Sequence, residues 1–223
     1  KAPRQESFSV REHLETRRND PDFHLVEFGH SIFPIAFQQG VPFYEGRSYT
    51  GIEGWLVNPD KGPSMLAEQY EKEIQGQNIR FITQDLGSYP MADDGFPIEE
   101  LYDGEYNTRT PLRDNEASEV VASNVLTDPL VADIPSRSIS LLKEMERIIK
   151  PSGLIVLRET ITPNYREYVD DGSVALAGLQ VIAKLRHGEV ESQAWQSLEE
   201  VYDGDLARAW PPADGSHYTI LSK

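Results

Sequence analysis

The sequence predicts an α/β domain built on a parallel sheet covered on both faces. Three observations carry this. The stretch Phe23–Phe37 reads as strand, tight turn and helix: an apolar run ends in Glu27, Gly29 follows, and Pro34 sits where a helix can begin. Three candidate strands in a row, separated by helical patterns, each finish in an acid: Glu27, Glu53 and Asp85. Glu119–Val125 and Leu154–Glu159 are nearly continuous apolar runs, the pattern of strands buried on both sides.

Taken in order, residues 5–18 read as a helix, with Ser9 and Glu12 at capping-box spacing, stopped by Asn19-Asp20-Pro21. The first strand is Phe23–Glu27. Gly29 can adopt a backbone conformation closed to other residues and lets a ligand approach. A short helix ends near Gly40, and the second strand, Tyr49–Glu53, runs into Gly54-Trp55. A helix over 64–75 repeats Leu66, Tyr70 and Ile74 and ends at Gly76. Asn78–Asp85 alternates apolar and polar residues, as a strand does. Residues 87–118 break the rhythm, and a long irregular insertion in a compact domain reads as a lid or substrate loop.

Regular structure returns at Glu119–Val125. A helix follows over 136–149, then a tight turn at Lys150-Pro151-Ser152-Gly153, then the strand Leu154–Glu159. Residues 173–185 fit either one helix or a helix that breaks at Gly178 into a strand. Gln193–Val201 reads as a helix and His217–Leu221 as a short last strand. There is no repeat or clear linker, so the whole of 1–223 reads as a single domain with an insertion at about 87–118.

Composition narrows the function classes. The chain of 223 residues carries a net charge of −16, which repels a nucleic-acid backbone. No apolar run approaches the roughly 20 residues a bilayer needs, and no secretory signal is visible. Cysteine is absent, which removes disulfides and thiol chemistry and fits a cytoplasmic location. No two of the five histidines stand at metal-ligand spacing, so no metal is expected.

In an open parallel sheet the strand C-termini line one edge, where ligands bind. An acid at the end of the second strand, here Glu53, can accept both ribose hydroxyls of an adenosine, because a carboxylate only accepts and has two oxygens. Trp55 beside it can cover an adenine or pack in the core. Three further groups lie at strand ends on this edge: His30, Asp128 and Glu159. They are the candidate bases, His30 first, because an imidazole titrates near neutrality.

The order of these pieces resembles the class I, Rossmann-like S-adenosylmethionine-dependent methyltransferases. The pieces are Val26–Ser31, Gly51–Trp55, Ile82–Leu86, Val121–Val125 and the helix-turn-strand from Leu142 to Leu157 with its Lys150-Pro151-Ser152-Gly153-Leu154 segment. They span roughly residues 22–160. The resemblance implies a doubly wound, mostly parallel seven-stranded sheet with an antiparallel last strand, and S-adenosylmethionine as cofactor. It places Glu27 and Gly29 near the methionine part, Glu53 at the ribose hydroxyls and Asp85 and Leu86 beside the adenine, with Ser31, Gly54 and Trp55 also among the cofactor-binding residues. Asn124 and Val125 would border the sulfonium. Ser31 and Phe33 stand where the family carries small residues. The expected activity is methyl transfer to a small-molecule acceptor, whose acceptor atom (oxygen, nitrogen or carbon) stays open. A homo-oligomer is compatible with the sequence. Two other readings fit it: a non-catalytic binding module on the same fold, and a nicotinamide-dependent oxidoreductase, which would use Glu53 equally well.

Overall fold

The structure, a computed structural model, describes residues 9–29, 46–53, 75–83, 109–126, 131, 135–159, 169–186, 192–202 and 217–223. Its first element is helix α1, Val10–Asn19. Ser9 caps it, its Oγ accepting from the Glu12 N–H, so the capping-box spacing is used as expected. Strands β1 (His24–Phe28), β2 (Ser48–Glu53), β3 (Ile79–Thr83) and β4 (Ala117–Ser123) follow. Then come α2 (Pro135–Ile148), β5 (Ile149–Glu159), α3 (Asp171–Leu176), β6 (Gln180–Arg186), α4 (Ser192–Tyr202) and β7 (His217–Ser222).

The strands form one seven-stranded sheet in the order β3-β2-β1-β4-β5-β7-β6. Pairs from β3 through β5 are parallel, and β7 runs antiparallel between β5 and β6. The expected doubly wound sheet with a reversed last strand is therefore present. Both core clusters follow from strand alternation. Val26, Phe28, Ile52, Val120, Ala122, Ile155 and Leu157 face one side, where Leu141, Leu142 and Met145 of α2 cover them. Leu25, Tyr49, Val121, Val156, Tyr218 and Ile220 face the other, against Trp195 and Leu198 of α4.

One expectation differs from the structure, and one pair of open alternatives is decided by it. Lys150–Gly153, read as a tight turn, lies inside β5. Ile149 already pairs with Ala117, and the register shifts before Glu119 pairs with Leu154. Space explains the glycine there: a Cβ at Gly153 would stand 2.7 Å from the Ser118 carbonyl oxygen. Residues 173–185 take the second of their two alternatives, because Gly178 at φ +83° ends the helical turn and β6 begins two residues later.

Candidate functional site

Parallel pairing sends the C-terminal ends of β1 to β5 to one edge of the sheet. Because β7 is reversed, it brings its first residue, His217, to the same edge. At the centre of this rim, β1 runs out into Gly29 and β4 into Asn124 and Val125. Gly29 sits at φ +73°, and its N–H donates to the Ile52 carbonyl of β2 at 2.9 Å. A Cβ on it would lie 2.2 Å from Val125 Cγ2. Asn124 is also left-handed, at φ +54°, and its N–H donates to the Arg158 carbonyl of β5. Asparagine tolerates that region better than most side chains. Two neighbouring strand ends thus turn sharply at one place, and Val125 packs into the space that a side chain at 29 would need.

Glu53 ends β2 and pairs with Thr83 of β3, two residues before Asp85. Glu27 lies two residues inside the rim and is 2% exposed; Tyr49 Oη donates to its Oε2 at 2.6 Å. Its carboxylate is on the α4 side of the sheet, the side of Leu25 and Tyr49. Glu159 ends β5 and is 1% exposed. Of the residues the sequence nominates, the structure thus brings Gly29, Glu53, Asn124, Val125 and Glu159 to one edge. His30, Ser31, Gly54, Trp55, Asp85, Leu86 and Asp128 lie outside the described residues.

Sequence reading missed His217. It pairs directly with Glu159 across the β5–β7 ladder and is equally buried. Only the reversal of the last strand places it at the rim, and no local pattern signals that.

The opposite edge carries a different arrangement. A cavity of about 290 Å³ is lined there by His24, Thr50, Asn78, Arg80 and Glu116, among others. His24 Nε2 is 2.9 Å from Thr50 Oγ1, and Arg80 bridges Thr50 and Glu116. Burial lowers the His24 imidazole's proton affinity, which keeps it neutral near pH 7. This cluster stands at strand beginnings, away from the rim. Among the described residues, no group of three His, Asp or Glu is arranged to hold a metal ion, and no helix is long and apolar enough to cross a membrane.

The strand order, the reversed seventh strand and the turns at Gly29 and Asn124 together are the fold of class I S-adenosylmethionine-dependent methyltransferases. Solved structures bear this out. An S-adenosylmethionine-dependent methyltransferase from Aquifex aeolicus matches with a TM-score of 0.55 at 12% identity, covering 99% of this chain and 92% of that one. The CcbJ methyltransferase from Streptomyces caelestis matches at 0.53 and 12%, covering 96% and 88%. NcsB1, an O-methyltransferase from neocarzinostatin biosynthesis, matches at 0.51 and 12%, covering 94% of this chain and 54% of that one. It was solved with S-adenosyl-L-homocysteine and 1,4-dihydroxy-2-naphthoic acid. No family model matches the sequence, and no curated protein matches it.

Proposed function

We propose that the protein is an S-adenosylmethionine-dependent methyltransferase acting on a small-molecule acceptor. The observation that carries this is the pair of backbone turns at Gly29 and Asn124. They turn two adjacent strands out of the sheet side by side at its C-terminal edge, the edge where open parallel sheets bind ligands. The turn at Gly29 would take the amino-acid tail of the cofactor. Glu53, at the end of the neighbouring strand, would take the ribose hydroxyls, and Asn124 and Val125 would border the sulfur. Bound S-adenosylmethionine supplies an already activated methyl group. The chain's own work is to hold the acceptor in line, exclude water and receive a proton where one is released. Glu159, with His30 and Asp128 from the sequence, are the groups proposed for the last task.

The small acceptor rests on two supports. A net charge of −16 disfavours a polyanion, and NcsB1, of the same fold, holds a dihydroxynaphthoic acid. Calorimetry with S-adenosylmethionine and S-adenosylhomocysteine tests the cofactor. Micromolar binding that drops about tenfold in Glu53→Ala is expected, the loss of a charge-assisted hydrogen-bond pair. No binding of either nucleoside at millimolar concentration would overturn the reading, and preferential stabilisation by NAD would favour the oxidoreductase instead.

A further inference from the structure

Beyond the turns at Gly29 and Asn124, the rim continues across β5, β7 and β6 as a row of ionisable groups. Glu159 of β5 pairs directly with His217 of β7, which pairs directly with Arg186 of β6. Direct partners in an antiparallel ladder hold their Cβ atoms about 5 Å apart on the same face of the sheet. That face is the α2 side, since Leu157 and Leu221, two and four residues away on these strands, belong to its core. Glu159 and His217 are each 1% exposed, whereas Arg186 is exposed. Also on this side, Arg137 is buried in the first turn of α2, and an Asp171–Lys184 ion pair ties α3 to β6.

A buried carboxylate beside a buried imidazole forms a site that holds or releases one proton at small cost in charge separation. Glu159 stands one strand spacing from Asn124 and His217 two, about 5 and 10 Å. We infer that the Glu159–His217 pair balances the charge of the cofactor. The imidazole is neutral while the cationic sulfonium of S-adenosylmethionine is bound. It is protonated once the neutral product S-adenosylhomocysteine remains. The pair thereby receives the proton released at methylation. The acceptor's O–H or N–H bond breaks, its electron pair stays on the acceptor atom, and the proton goes to His217 with Glu159 as counter-ion. The chemical class served is an acceptor that surrenders a proton, not one that is methylated at a carbon without an acidic hydrogen. His217 is thus the group that receives the proton, and Glu159 is the residue that positions and charges it. The inference rests on the cofactor reading above.

The test needs no acceptor. The affinities for S-adenosylmethionine and S-adenosylhomocysteine are measured by calorimetry from pH 5.5 to 8.5, in wild type, His217→Gln and Glu159→Gln. In wild type the preference should swing toward S-adenosylmethionine as pH rises, by about three- to tenfold, the size of a charge–charge interaction over that distance in partly screened surroundings. The swing should vanish in His217→Gln. In Glu159→Gln its midpoint should move to lower pH, because the imidazolium loses its counter-ion. Should a variant not fold, the His217 ring signal in wild type is titrated by NMR in both complexes, and a higher midpoint with S-adenosylhomocysteine is expected. A pH-independent preference, a swing that survives in His217→Gln, or equal midpoints would overturn the inference while leaving the cofactor reading intact. Absence of binding by both nucleosides would instead sink the cofactor reading.

Discussion

Gly29 shows what one residue contributes at the rim. Its positive φ excludes most side chains, and the missing Cβ is filled by Val125. Gly29→Ala is expected to cost roughly 2–4 kcal/mol, from left-handed strain and overpacking together. Urea unfolding would measure this, and a loss below about 0.5 kcal/mol would contradict the packing described. Gly29 was legible in sequence because an apolar run ending in acid and glycine reads as a strand closing in a tight turn. Asn124 was legible only as a strand-end residue, since its left-handed turn depends on the hydrogen bond to Arg158. The Tyr49–Glu27 contact was not legible at all, because it joins residues 22 apart through strand register.

At the scale of elements, α1 illustrates attachment by charge. Along this helix Val10 is the apolar residue packed against the α4-side core. Arg17 reaches over to β4, its Nε 3.1 Å from Glu119, while its guanidinium lies 5.0 Å from the Phe23 ring centre and 5.5 Å from that of Tyr202. His13 Nε2 is 2.8 Å from Tyr202 Oη and 3.3 Å from Glu119 Oε2. Burial pushes the Glu119 carboxyl up, but Arg17 and His13 outweigh it and leave the group below its ordinary range. A depressed carboxyl stabilises the fold above its unfolded pKa, and that contribution disappears as pH falls through the folded value. Arg17→Ala strands a buried carboxylate. It should cost about 3 kcal/mol or more at pH 7 and move the acid unfolding limb to higher pH, as followed by circular dichroism. An unchanged acid limb would show that Arg17 does not hold Glu119 ionised.

Periodicity and caps made α1, α2 and α4 readable, because those signals are local. The start of β5 was not. Lys150-Pro151-Ser152-Gly153 has turn composition, yet pairing with Ala117 and the tight fit of Gly153 against Ser118 draw it into the strand. Tertiary pairing there overrides local preference.

On the scale of the molecule, the alternation of strand and helix pointed to the parallel half of the sheet and the family resemblance to a reversed last strand, while the place of β7 between β5 and β6 comes from the structure alone. That placement decides which side chains share the rim. A ligand that binds the folded state alone stabilises it by about 2.7 kcal/mol at a hundredfold excess over its dissociation constant. For a domain of this size that is a rise of roughly 5–10 °C in the unfolding midpoint. S-adenosylhomocysteine at saturation should produce such a shift in a thermal melt, and duplex DNA should produce none, given the charge of −16. A midpoint unmoved by the nucleoside would count against a formed cofactor site.

The contact between position 29 and Val125 also constrains how this chain can change over time. A methyl group at 29 meets a methyl group at 125, so a smaller residue at 125 opens the space that alanine at 29 needs, while the reverse order passes through a crowded intermediate. Descent, or a laboratory library, should therefore reach the double replacement by way of position 125 first, and the two routes to the same pair of residues are not equally passable.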